Sequence, residues 1–141
     1  MRCLGLDLGS KTLGIAISDR TNFIASVYKT IFFKDEDYSS LIEPLKEIVK
    51  NENIGIIVLG LPKNMNNSLG PRALLTLEFK EMLEKELNIP VVMEDERLTS
   101  VISNNILISA NISRTKRKKK VDGMAAEIIL QSYLDKSRKG N

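Results

Sequence analysis

Residues 2–19 read Arg2-Cys3-Leu4-Gly5-Leu6-Asp7-Leu8-Gly9-Ser10-Lys11-Thr12-Leu13-Gly14-Ile15-Ala16-Ile17-Ser18-Asp19. Two apolar runs, 2–8 and 13–18, flank Gly9-Ser10-Lys11-Thr12, a sequence suited to a tight turn. The pattern predicts two buried strands joined as an antiparallel hairpin. A single acid, Asp7, interrupts the first run near its end. A carboxylate is cheap to expose at a strand end and costly to bury unpaired, so Asp7 is a candidate functional group. The same stretch invites a phosphate-loop reading, which fails. Gly5 and Gly9 stand one position too close, and a strand rather than a helix follows.

Outward from the hairpin, Ser26–Phe33 is β-branched and aromatic and predicts a third strand. Leu41, Leu45, Ile48 and Val49 recur at helical spacing and predict a helix over 35–51, with Pro44 near its first turn. Ile54–Leu61 is continuously apolar, as in a strand covered on both faces. A polar loop over 62–68 follows. Gly70-Pro71 then opens a helix with Leu75, Phe79, Met82, Leu83 and Leu87 as its stripe and Asn88 at its end. Pro90 introduces another strand. Residues 99–110 predict a weaker helix. The last helix is expected from Asp122, with Ala126, Ile129, Leu130, Tyr133 and Leu134 on one face. The order β-β-β-α-β-α-β-α-α begins as a meander and continues through two crossovers, which place their strands parallel. The expected fold class is α/β: a mixed five-stranded sheet, first three strands antiparallel, remaining two parallel, helices on both faces. One domain is expected over 1–141, with a disordered tail at 136–141.

Composition narrows the chemistry. The 141 residues are 43% apolar, enough for one ordinary core. No apolar run nears the roughly 20 residues of a membrane span, and Asp7 and Lys11 interrupt any leader-like segment. A cytoplasmic protein without membrane partners is expected. The one cysteine, Cys3, lies in a strand-like run and reads as a buried, inert thiol. With no histidine in the chain, Ser-His and Cys-His machinery is excluded and the commonest zinc ligand is missing. Acid–base work falls to carboxylates, lysine, tyrosine or metal-bound water.

The net charge of +3 is unevenly spread. Arg114, Lys116, Arg117, Lys118, Lys119 and Lys120 put six cations in seven positions; without them 15 bases face 18 acids. Such a run suits a polyanion, nucleic acid above all, or is a solvated linker. Mutual repulsion predicts a flexible, irregular segment over 114–120.

Three carboxylates in separate segments are candidates for one site: Asp7, Glu96 within Glu94-Asp95-Glu96-Arg97-Leu98-Thr99, and Asp122. If they converge, their natural partner is a hard divalent cation such as Mg²⁺, which points to phosphate chemistry. Alternatives stand beside this reading. Asp122 also suits a helix N-cap, and Glu96 could pair with Arg97 or a lysine. Asp95 rivals Glu96, although alternation sends the two to opposite faces of a continuing strand. Arg97 could bind a phosphate bidentately or orient Glu96. Lys11 could meet a phosphate from the hairpin tip or be an ordinary turn lysine. Asn64, Asn66 and Asn67 could touch RNA or satisfy their own turn.

Four blocks carry a resemblance. They are Leu4–Asp19, Val58-Leu59-Gly60-Leu61-Pro62 with Asn64-Met65, Asp95-Glu96-Arg97-Leu98-Thr99, and Val121-Asp122 through Ala125-Ala126, Leu130-Gln131 and Tyr133-Leu134. In this order they resemble the YqgF/RuvX family of the RNase H-like superfamily, from about Met1 to Leu134. Asn67 stands where that family commonly has glycine, and Ser100 where a second threonine is usual. Residues 101–105 fit the family poorly, and no role is carried over to them. The resemblance implies a metal-dependent endonuclease acting in 5′-end maturation of pre-16S rRNA, hence in ribosome biogenesis. It also admits a Holliday-junction resolvase. Asp7, Glu96 and Asp122 inherit the catalytic and metal-binding roles, with Mg²⁺ or Mn²⁺, two ions, weakly held without substrate. Lys11, Arg97 and the cations of 114–120 are the expected nucleic-acid contacts. The partners expected are structured RNA or branched DNA, and the chain a monomer or weak homodimer. A non-catalytic RNA-binding assembly factor, and an actin-like phosphate-binding module that would need two such domains, are the readings from other classes.

Overall fold

The computed structural model describes residues 1–9, 11–34, 37–61, 70–95 and 114–139, with the backbone alone at 95, 114–123 and 138–139. Strands β1 (Arg2–Leu8) and β2 (Thr12–Ser18) form the expected hairpin, with Leu4 opposite Ile17, Asp7 opposite Gly14 and Leu8 opposite Leu13. The Gly9 amide donates to the Thr12 carbonyl at 2.7 Å and closes the turn. Strand β3 (Ala25–Phe32) pairs antiparallel with β2. Strand β4 (Ile54–Leu61) pairs parallel with β1, and β5 (Val91–Asp95) parallel with β4. The sheet order is β3-β2-β1-β4-β5, so β1 is its middle strand.

Helix α1 (Ile42–Asn51) follows a single 3₁₀ turn at Tyr38–Leu41. It therefore starts later than the expected 35–51, and Pro44 sits in its first turn, where a missing N–H costs no helical bond. Helix α2 (Pro71–Leu87) begins with Pro71 after Gly70 and ends at Asn88, whose φ of 60° is the left-handed stop expected of asparagine. The third helix, α3 (Arg114–Lys139), departs most from expectation. It begins at Arg114 rather than Asp122, so the backbone of 114–120 is helical rather than irregular. It also continues through 136–139, where a tail was expected. Lysine and arginine are good helix formers, and no glycine or proline interrupts 114–122. The loop expected at 62–68 and the helix expected over 99–110 lie outside the described residues.

Alternation along β1 divides the core in two. Leu4, Leu6 and Leu8 join Leu13, Ile15, Ile57 and Leu59 beneath α1 and α2, where Leu45, Ile48, Phe79 and Leu83 are buried. Cys3, with Ala16 and Val58, faces Ala126, Ile129, Leu130 and Leu134 of α3. The sheet is thus covered on both faces, as the continuously apolar β4 requires.

Candidate active site at the end of the central strand

The close approach of α3 to β1 sets the site. A Cβ added to Gly5 would stand 2.7 Å from Leu130 Cβ and 2.9 Å from the Ala126 carbonyl. Only glycine lets the helix sit that low. Further along α3, Tyr133, Leu134 and Ser137 line one hollow with Met1, Arg2 and Cys3. The helix therefore runs opposite to β1, and the turn before Ala126 lies towards the C-terminal end of the strand, where Asp7 stands. Residue 122 is one helical turn before Ala126.

Asp7 shares the α3 face with Cys3 and Gly5, because strand side chains alternate, and it is only partly buried. Its cross-strand neighbour on β2 is Gly14. On β4, Gly60 follows the Leu6–Leu59 pair and itself pairs with Glu94 of β5. Gly14 presents no side chain beside the carboxylate. Cys3 lies at the other end of β1, and burial pushes its thiol above the ordinary range. Its thiolate is disfavoured, so the available donors are hard oxygens, the set that fits Mg²⁺ or Mn²⁺.

Of the other expected site residues, Lys11 is exposed in the turn after β1. Glu96 and Arg97 follow directly on β5 and lie outside the described residues. Asp122, Arg114, Lys116, Arg117, Lys118, Lys119 and Lys120 lie on α3 through their backbone alone. Among the described residues no three metal-ligating side chains gather; two of the three expected acids are not in that set.

Two residues were missed by sequence reasoning. Glu94 is buried on the α3 face and paired with Lys136 of α3. It is hidden in a run of three acids, Glu94-Asp95-Glu96; the alternation of side chains along a strand, which puts Glu94 on the same face as Val92, is the available signal. Arg72, second residue of α2, donates from Nη2 to the Leu8 carbonyl at 2.9 Å, one residue past Asp7. No sequence signal marks that bond, because its acceptor is backbone far away in the chain.

Comparison with known proteins decides the family. The model of the RuvX family, described as Holliday junction resolvase, matches residues 1–136. The chain belongs to the RuvX family. A Bacillus subtilis (strain 168) relative named "Putative pre-16S rRNA nuclease" is 48% identical over 135 residues, covering 96% of this chain and 98% of its own. A Clostridium kluyveri relative of the same name is 49% identical over 139 residues, covering 99% and 100%. Thermus thermophilus RuvC, solved with a Holliday junction substrate, superposes with a TM-score of 0.64 at 12% identity, covering 100% of this chain and 97% of RuvC. That likeness establishes the fold as RNase H-like. With its family and relatives, this RuvX protein is a nuclease, a hydrolase of phosphodiester bonds.

Proposed function

We propose that this nuclease matures the 5′ end of precursor 16S rRNA, using Asp7, Glu96 and Asp122 as catalytic carboxylates that hold Mg²⁺ or Mn²⁺. The observation that carries the reading is the place of Asp7. It stands at the C-terminal end of the middle strand, on the α3 face, opposite Gly14 of β2. Ligands of open α/β sheets bind outside the carboxyl ends of strands. A divalent ion, when bound there, supplies a water of lowered pKa and neutralises charge on the leaving oxygen.

The protein's own groups do the rest. Asp7, Glu96 and Asp122 offer oxygen donors, and their mutual repulsion keeps affinity low until phosphate joins them. Lys11, Arg97 and the cations of 114–120 grip the polynucleotide backbone, which makes binding salt-dependent. The name shared by the relatives supports ribosomal RNA as substrate, and such work belongs in the cytoplasm. The chain acts as a monomer or a weak homodimer.

The family description favours a second reading, cleavage of branched DNA. A junction is two-fold symmetric and asks for a symmetric dimer. Incubating the protein in parallel with precursor 16S RNA and a Holliday junction, under Mg²⁺, Mn²⁺ or chelator, separates the two. RNA cleaved at a discrete site with either ion and spared by chelator is the expected result. Preferential cutting of the junction installs the second reading. Failure to cut either substrate with either ion contradicts both.

A further inference from the structure

We propose that Arg72 is a phosphate-binding residue of this nuclease, holding the polynucleotide backbone beside Asp7; the inference rests on the nuclease reading above. The β1–β4 ladder runs to the Leu6–Leu59 pair. Past it, the Leu8 carbonyl takes a hydrogen bond from Arg72 Nη2 at 2.9 Å. That bond spends one of the five donors of a guanidinium and fixes the fork at the strand end. The rest of the residue is exposed.

Arg72 brings a full positive charge to this strand end. Among the described residues no carboxylate pairs with it, whereas Arg2 is held by Glu52 at 2.8 Å. A strut between α2 and β1 needs only a donor for one carbonyl, and a neutral side chain could supply it. An anchored, exposed and uncompensated guanidinium is instead pre-organised for an anion, and its planar fork matches a phosphate. Lys11, in the turn after β1, is exposed at the same strand end. The two cations therefore meet the strand end that carries Asp7, where a phosphodiester must lie to be cut. The backbone amides at the start of α2, where Gly70 provides no side-chain cap, add to the positive potential there.

The test measures binding separately from cutting. In a non-cleaving Asp7→Asn chain, Arg72→Met and Arg72→Lys are compared for affinity to a 5′ fragment of precursor 16S RNA across salt concentrations, with a thermal melt of each. Arg72→Met is expected to bind roughly tenfold more weakly, the scale of one charged hydrogen-bonded contact. Its salt slope should fall by about 0.7 to 1. Arg72→Lys should restore the slope while recovering only part of the affinity, because a point charge replaces a fork. In the cleaving chain, Arg72→Met should raise KM more than it lowers kcat. A lowered melt with unchanged affinity and salt slope reduces Arg72 to a strut and overturns the proposal. A well-folded Asp7→Asn chain that binds RNA normally, while the parent cuts neither substrate, would remove the nuclease reading and leave Arg72 as an RNA contact. A chain that binds no RNA at all overturns both.

Discussion

Gly5 of β1 packs directly under Leu130 of α3: a Cβ on the glycine would lie 2.7 Å from the Cβ of the leucine. The contact fixes the height of α3 over β1, and with it the distance between the helix turn that holds Asp122 and the strand end that holds Asp7.

Gly5→Ala should therefore force α3 away from the sheet. Overpacking of this kind costs about 1–3 kcal/mol, read as a shift in the denaturation midpoint. Cleavage should fall with it, because residues 7 and 122 move apart. An unshifted midpoint would show that the helix does not rest on Gly5.

At the end of β5, the strand reaches Asp95, and Glu94 lies on the α3 face. Alternation assigns position 95 to the opposite face. Glu96→Gln should lower kcat by about 10²-fold or more, the scale of losing one transition-state contact. Asp95→Asn should lower it far less. Steady-state rates on one RNA substrate check this, and the reverse ranking would exchange the two assignments.

Replacing Lys118, Lys119 and Lys120 together with alanine should leave helicity by circular dichroism intact, since alanine is the best helix former. RNA affinity should weaken and its salt slope drop by about 2 for three lost contacts. Turnover at saturating substrate should change little. Unaltered affinity at every salt concentration would return the run to a solvated surface.

How much was legible follows from which forces are local. The hairpin is written in two apolar runs around Gly9–Thr12, and β4 in an unbroken apolar stretch; both were found where the structure has them. The parallel pairing of β1, β4 and β5 followed from crossover geometry. The start of α3 is not legible because two local forces oppose each other over 114–120: like-charge repulsion disfavours a helix that the propensity of lysine and arginine favours. The start of α1 stays open in the sequence because apolar spacing marks a face and not a cap, although Pro44 stands near the first turn as expected. In the site, Asp7 announced itself by being an acid in an apolar strand. Glu94 and Arg72 did not, because their partners, Lys136 and the Leu8 carbonyl, come from distant elements.

The central claim is that Asp7 is a metal-binding catalytic carboxylate, and Asp7→Asn tests it most directly. The substitution keeps the shape of the side chain and removes its charge. With precursor 16S RNA and Mg²⁺, cleavage should be abolished while the fold melts at or slightly above the parent temperature, since repulsion among the acids is relieved. Undiminished cleavage by a well-folded Asp7→Asn protein would contradict it.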